Sequence, residues 1–126
     1  MIDLYRVLNL ELNKILPSFL EQADHQYIKK NNVEVYCVYR IPASSNFSDY
    51  RENLTLEINV WSLKGADTKE LEEKTKEIVD KMHRFEYWSK RFGFIIRRES
   101  TLNHVDDPDE SIRRRRMTFE IWFYEV

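Results

Sequence analysis

The sequence predicts an α+β fold: a mainly antiparallel four-stranded sheet with two helices packed on one face, in the order α-β-β-α-β-β. Three observations carry this reading. Two stretches are apolar at helical spacing, and four others alternate in the manner of strands. The strand-like stretches also come in consecutive pairs with no helical pattern between them, which favours antiparallel hairpins. The chain has 126 residues, enough for one domain spanning 1–126 and one core. Charged residues make up 33% and there are only two Gly, a composition that predicts an ordered globular chain.

Leu4, Leu8, Leu12 and Ile15 recur at helical spacing, and Val7 and Leu16 widen the stripe, so residues 3–16 read as an amphipathic helix ended near Pro17. In "VEVYCVYRI" Val33, Val35, Cys37, Tyr39 and Ile41 share one face, giving the first strand. The polar stretch "PASSNFSDYREN" has neither period and reads as a 12-residue loop. "LTLEINVWSL" then places Leu54, Leu56, Ile58 and Val60 together on a second strand. Gly65 and Asp67 mark the next boundary. Asp67 and Glu70 resemble a capping box, and Leu71, Thr75, Ile78, Val79, Met82 and Phe85 form the apolar stripe of the second helix. "FGFIIRRES" and "SIRRRRMTFEIWFYEV" are the last two strands, separated by the turn-prone "TLNHVDDPDE".

Parity constrains that last hairpin. Phe92, Phe94 and Ile96 share the buried face with Met117, Phe119, Ile121 and Phe123, so even positions pair with odd ones. Pairing Ile96 with Met117, Phe94 with Phe119 and Phe92 with Ile121 meets this rule. The same ladder sets Arg98 opposite Arg115 and Arg97 opposite Arg116, like-charged pairs that call for nearby acids. The candidates are Glu99, the loop acids Asp106, Asp107, Asp109 and Glu110, a neighbouring subunit, or a phosphate backbone.

The alternate sheet positions Tyr36, Val38, Trp61, Leu63, Trp122, Tyr124 and Val126 predict a second apolar face. Two helices on one side of the sheet would leave it exposed, as in a protein interface. The candidate interface residues are Arg97, Arg98, Arg113, Arg114, Arg115, Arg116, Trp61, Trp122, Tyr124 and Tyr36.

The net charge of −2 gives no global field toward nucleic acid or anionic membrane. The single Cys37, on an apolar strand face, reads as a packing thiol and fits a reducing compartment. His25, His83 and His104 fall in separate segments without zinc-ligand spacing. "HVDDPDE" lacks the glycine and the terminal glutamate of a calcium loop, and no phosphate-cradling glycine motif occurs. No catalytic, metal-binding or cofactor-binding residues are predicted, and the chain reads as a non-enzyme. The opening "MIDLYRVLNLELNKIL" is interrupted by Asp3, Arg6, Glu11 and Lys14, unlike a secretory signal, and no stretch approaches the ~20 apolar residues that span a bilayer. The expectation is a soluble protein.

"VEVYCVYRIP", the polar stretch after it, "LTLEINVWSLKGADTKELEEKTKEIVDKM" and "RRRMTFEIWFYE" together resemble the small tail-terminator or tail-completion (head-to-tail joining) proteins of long-tailed bacteriophages, over Leu4 to Val126. The resemblance implies a non-enzymatic virion assembly subunit with no cofactor. It would form a homo-oligomeric, hexameric ring that caps the tail tube and meets the head connector. Its partners would be itself, the tail-tube protein and the connector, with no membrane and no nucleic acid beyond passing DNA. Its place would be the head–tail junction of the virion, after assembly in the host cytoplasm. The alternative is a small nucleic-acid-binding α+β module that uses the arginine-rich last hairpin.

Overall fold

A computed structural model describes residues 2–48, 51–63, 68–98, 103–105 and 113–125. The described residues form an α+β fold: α1 (Ile2–Asn13), β1 (Ser18–Leu20), α2 (His25–Lys30), β2 (Val35–Ser48), β3 (Arg51–Ser62), α3 (Lys69–Met82), β4 (Glu86–Trp88), β5 (Phe92–Arg98), β6 (Asn103–Val105) and β7 (Arg113–Glu125). The predicted four-stranded antiparallel sheet is corrected to a mixed sheet ordered β1-β2-β3-β7-β5-β4, with β6 also pairing β7. β1 runs parallel to β2, through Ser18–Cys37, Phe19–Val38 and Leu20–Tyr39. Elements of three residues are too short for periodicity to reveal, so the sequence hid both edge strands.

The predicted 12-residue loop is also corrected. β2 runs on through Ser48 and β3 begins at Arg51, so most of "PASSNFSDYREN" is paired strand. The pairing is irregular between Arg40 and Ala43 and again between Asn46 and Ser48. Pro42, which has no N–H to donate, falls in the first irregular step, and the polar residues after it lower strand propensity but leave the backbone free to hydrogen-bond a neighbour.

α1 buries Leu4, Leu8 and Leu12, and α3 buries Leu71, Thr75, Ile78 and Met82. Both stripes join one core cluster with Cys37 and Tyr39 of β2, Leu54 to Val60 at even positions of β3, Phe94 and Ile96 of β5, and Phe119 and Ile121 of β7. α1 and α3 therefore cover the same sheet face. Lys81 ties them at the rim, with its Nζ 2.7 Å from Glu11 Oε2. Inside α3, the Thr75 hydroxyl donates to the Leu71 carbonyl at 2.7 Å, which lets a polar residue sit in the core stripe. Thr68 is the N-cap of α3 and makes no side-chain cap bond, whereas Asp67 of the expected capping box lies outside the described residues.

The last hairpin keeps the expected parity and shifts its register by four residues. Ile96 pairs with Ile121, Phe94 with Phe123 and Phe92 with Glu125. Parity alone cannot choose among registers that differ by an even number, because every such slip keeps the apolar residues on the core face. On its other edge β7 pairs with β3 along the whole length of that strand, from Arg51–Tyr124 to Ser62–Arg113.

Candidate interaction surface

The register shift removes the like-charged pairs. Arg97 stands opposite Glu120 and Arg98 opposite Phe119, in place of Arg116 and Arg115. The four-arginine run instead lies between Asn59–Ser62 of β3 and Asn103–Val105 of β6, and strand alternation divides it between the two sheet faces.

Arg115 points into the helix-covered side, where it is only 8% exposed. Its Nε donates to Glu72 Oε1 of α3 at 2.6 Å and its Nη1 to the Arg114 carbonyl at 3.2 Å. Arg116 lies on the opposite face. Its Nε is 3.4 Å from Asn59 Oδ1 and 3.6 Å from Glu57 Oε1. Arg40 reaches Glu57 Oε2 at 3.2 Å, and Asn59 Nδ2 donates to Glu57 Oε1 at 3.0 Å. Burial pushes the Glu57 carboxyl up, but the hydrogen bonds from Asn59 and Arg40 and the charges of Arg40 and Arg116 outweigh it and hold the group below its ordinary value. Two arginines of the run, Arg115 and Arg116, are thus matched by acids on α3 and β3. Glu99 and the loop acids Asp106, Asp107, Asp109 and Glu110 lie outside the described residues.

The face away from α1 and α3 is layered with aromatic rings and guanidinium groups. Tyr36 and Trp61 stack across β2 and β3 with centroids 6.4 Å apart. Tyr36 is buried beneath Phe19, which also meets Tyr27 of α2, so the short α2 corner covers one end of this face. The Arg114 guanidinium sits 4.6 Å from the Trp61 ring centroid. Arg51 and Arg97 each lie 4.3 Å from the Trp122 centroid. At the far edge Trp88 packs on Tyr124, centroids 5.6 Å apart, across Gly93. A Cβ added at Gly93 would fall 1.9 Å from Trp88 Cε3, so the glycine makes room for the indole.

Of the sequence-predicted residues, Trp61, Arg114, Arg116, Trp122 and Tyr124 come together here, half-buried, with Arg97 exposed beside them. Tyr36 supports the layer from below, and Arg113 and Arg115 turn to the other side. Val126 lies outside the described residues. Arg51, Trp88 and Glu57 complete the surface and were missed. The period-two alternation of "RENLTLEINVW" places Arg51 and Glu57 on the Trp61 side, so the signal for them was present. Among the described residues, Arg114 Nε and Trp122 Nε1 are buried without a hydrogen-bond partner. Stacking compensates the guanidinium electrostatically, whereas a buried indole N–H with no acceptor carries a desolvation cost.

Cys37 is fully buried in the core. Burial pushes its thiol up to about 12, against a smaller downward pull from a Ser18 hydrogen bond. The thiol is a packing group in this position. Among the described residues no group of three or more His, Cys, Asp and Glu is arranged to hold a metal, and no helix is long and apolar enough to cross a membrane.

No protein-family model matches the chain, and a search of the curated proteins gives no match.

Proposed function

We propose that this chain is a non-enzymatic structural subunit of a long-tailed phage, a tail terminator or tail-completion protein. It forms a ring that caps the tail tube and joins it to the head connector. The observation that carries the assembly role is the sheet face opposite the long helices. Trp61, Trp122, Tyr124 and Trp88 lie there among Arg51, Arg97 and Arg114. Trp, Tyr and Arg dominate the energetic centres of protein interfaces, and a sheet face rich in all three offers contact area at low entropic cost. The tail assignment adds the resemblance along "LTLEINVWSLKGADTKELEEKTKEIVDKM" and "RRRMTFEIWFYE". The test is mass measurement of the purified chain, alone and mixed with tail-tube subunits. Ring-sized species or tube-end binding are expected, and a strict monomer that never joins tubes or connectors overturns the reading.

A nucleic-acid module is the second reading, favoured by guanidinium groups stacked on indoles, the same chemistry that single-strand platforms use. Against it, Arg115 and Arg116 are occupied by Glu72 and Glu57. Titration with DNA and RNA at two salt concentrations separates the readings, since phosphate binding weakens steeply with salt. Tight, salt-sensitive binding would favour the second.

A further inference from the structure

Two patches of opposite charge lie on opposite sides of the sheet, each only partly matched by the described residues around it. On the face away from the long helices, Arg40 and Arg116 are engaged by Glu57, and Arg51 donates to Asn53 Oδ1 at 3.2 Å. Arg97 and Arg114 meet no acid among the described residues. Each guanidinium lies on an indole instead, Arg97 on Trp122 and Arg114 on Trp61. Glu120 stands opposite Arg97 in the ladder and forms no ion pair with it. Stacking uses the flat side of a guanidinium and leaves N–H groups in its plane to donate, so both arginines are oriented in advance for a carboxylate. Each stacked pair also holds a buried donor without an acceptor, Trp122 Nε1 in one and Arg114 Nε in the other.

The second patch is the outer ridge of α3. Leu71, Thr75, Ile78 and Met82 turn inward, and the same helical spacing sends Glu70, Glu73, Glu77 and Asp80 outward in one row. Glu73 is exposed and has no partner among the described residues. Glu77 and Asp80 hold solvent-accessible pairs with Lys74 and Lys76, at 3.6 and 3.1 Å. Such pairs contribute little and exchange readily for better-placed partners. From Glu70 to Asp80 the row rises ~15 Å along the helix. Arg114 and Glu120, the ladder partner of Arg97, lie ~20 Å apart along β7. A row of side chains on a helix of this length thus reaches both guanidinium groups, whereas a small anion reaches one.

We infer that the acidic ridge of α3 on one copy docks on the arginine–indole face of a second copy. The contact is heterologous. α3 covers the core side of the sheet and the arginine face is its other side, so each subunit keeps one ridge or one face free after pairing. Such a contact repeats head to tail and closes into a ring when the rotation per subunit permits. Carboxylates meet guanidinium groups already held on indoles. Both patches also carry a minority of the opposite sign, Lys74 and Lys76 beside the ridge and Glu57 and Glu120 on the face, which penalises other registers. Nucleic acid is the poorer occupant, because Arg114 on Trp61 and Arg51 and Arg97 on Trp122 cover the indoles where bases would stack. The inference rests on the ring-forming reading above and names the seam.

The experiment uses the full chain in sedimentation or mass photometry across a concentration series. E73K/E77K reverses the ridge, and R97E/R114E reverses the face; R97E alone, at an exposed position, serves if the double variant loses the near-ultraviolet spectrum of a folded chain. Each variant should self-associate ~10-fold or more weakly, the size expected for lost charge-assisted contacts. Mixed together, the two variants should assemble like the parent, because every ridge then finds a face of opposite charge. Variants that assemble like the parent, or a mixture that assembles no better than either alone, overturn this seam and leave the ring reading standing. An R97E/R114E chain that loses tight binding to a DNA oligomer while its self-association is unchanged also overturns the seam and assigns the face to nucleic acid. If the parent assembles only on tail tubes, the two variants and their mixture are read on those tubes by the same criteria. A parent that stays monomeric alone and with tubes overturns the seam and the ring reading together.

Discussion

The two faces of this sheet are built by the same strands and obey different chemistry. On the side covered by α1 and α3, β3 contributes Leu54, Leu56, Ile58 and Val60, each buried to within 1% of complete. One residue along the strand, Arg51, Asn53, Glu57 and Trp61 carry charge, amide and indole into a half-open layer. Burial of aliphatic groups is non-directional and stabilises wherever the volume is filled. The arginine–indole–carboxylate layer depends on geometry, with each guanidinium seated on one ring or one acid. The covered face thus stabilises by filling volume, and the other by contacts that depend on orientation.

The largest break in this contrast is expected from Leu56→Ala, which opens a cavity in the core beneath the helices. The expected loss is ~2–5 kcal/mol of unfolding free energy, read by urea denaturation. A loss below that range, matching a substitution on the other face, would erase the distinction between the faces.

Arg115 and Arg114 sharpen it, because they are adjacent in sequence and face opposite ways. Arg115→Ala removes a buried side chain and its bond to Glu72, whose own side chain is 45% exposed and can re-solvate. The expected cost is about 1–3 kcal/mol, below that of breaking a fully buried pair. Arg114→Ala removes a stacked guanidinium and should cost only about 0.5–1 kcal/mol in the same assay. Its main effect should be on assembly with a partner. Equal costs for the two would mean that the run does not divide between the faces as described.

The smallest expected effect is the response to acid. Glu11 at the rim of the covered face is held below its ordinary value by the Lys81 hydrogen bond, with Lys14 assisting, and Glu57 on the other face by Asn59 and the arginines. A carboxyl with a depressed folded-state pKa contributes stability that is complete above its unfolded value, about 4.3 for Glu, and is lost as pH falls through the folded value. Melting temperature should therefore decline as pH falls below about 4.3, and E11Q and E57Q should each flatten that decline. An unchanged slope in E57Q would remove the carboxylate from its assigned place between Arg40 and Arg116.

Much of the helix-covered face was legible beforehand. The apolar positions of α1, α3, β3, β5 and β7 repeat with periods that only one face can satisfy, and the cost of burying a polar group keeps them there. Where competing solutions share the same pattern, the sequence was mute. A register slip of four residues leaves every apolar side chain on its face, so the arginine partners inferred from the hairpin were misplaced. The stretch "SSNFS" carries no strand pattern, yet β3 offers it a ladder of main-chain partners. α2, β1 and β4 are too short to announce themselves, although α2 and β1 build the cover over Tyr36 and β4 lays Trp88 on Tyr124.

The sequence by itself determined the α+β class, the two covering helices, and which side of each long strand turns to the core, because period and hydropathy act within a dozen residues. Only the tertiary structure decided what the four arginines meet. Glu72 lies 43 positions from Arg115 in the chain, and the Asn59 that binds Arg116 lies 57 positions away. Such partners are chosen by which strands lie side by side and in what register, quantities that no local pattern encodes.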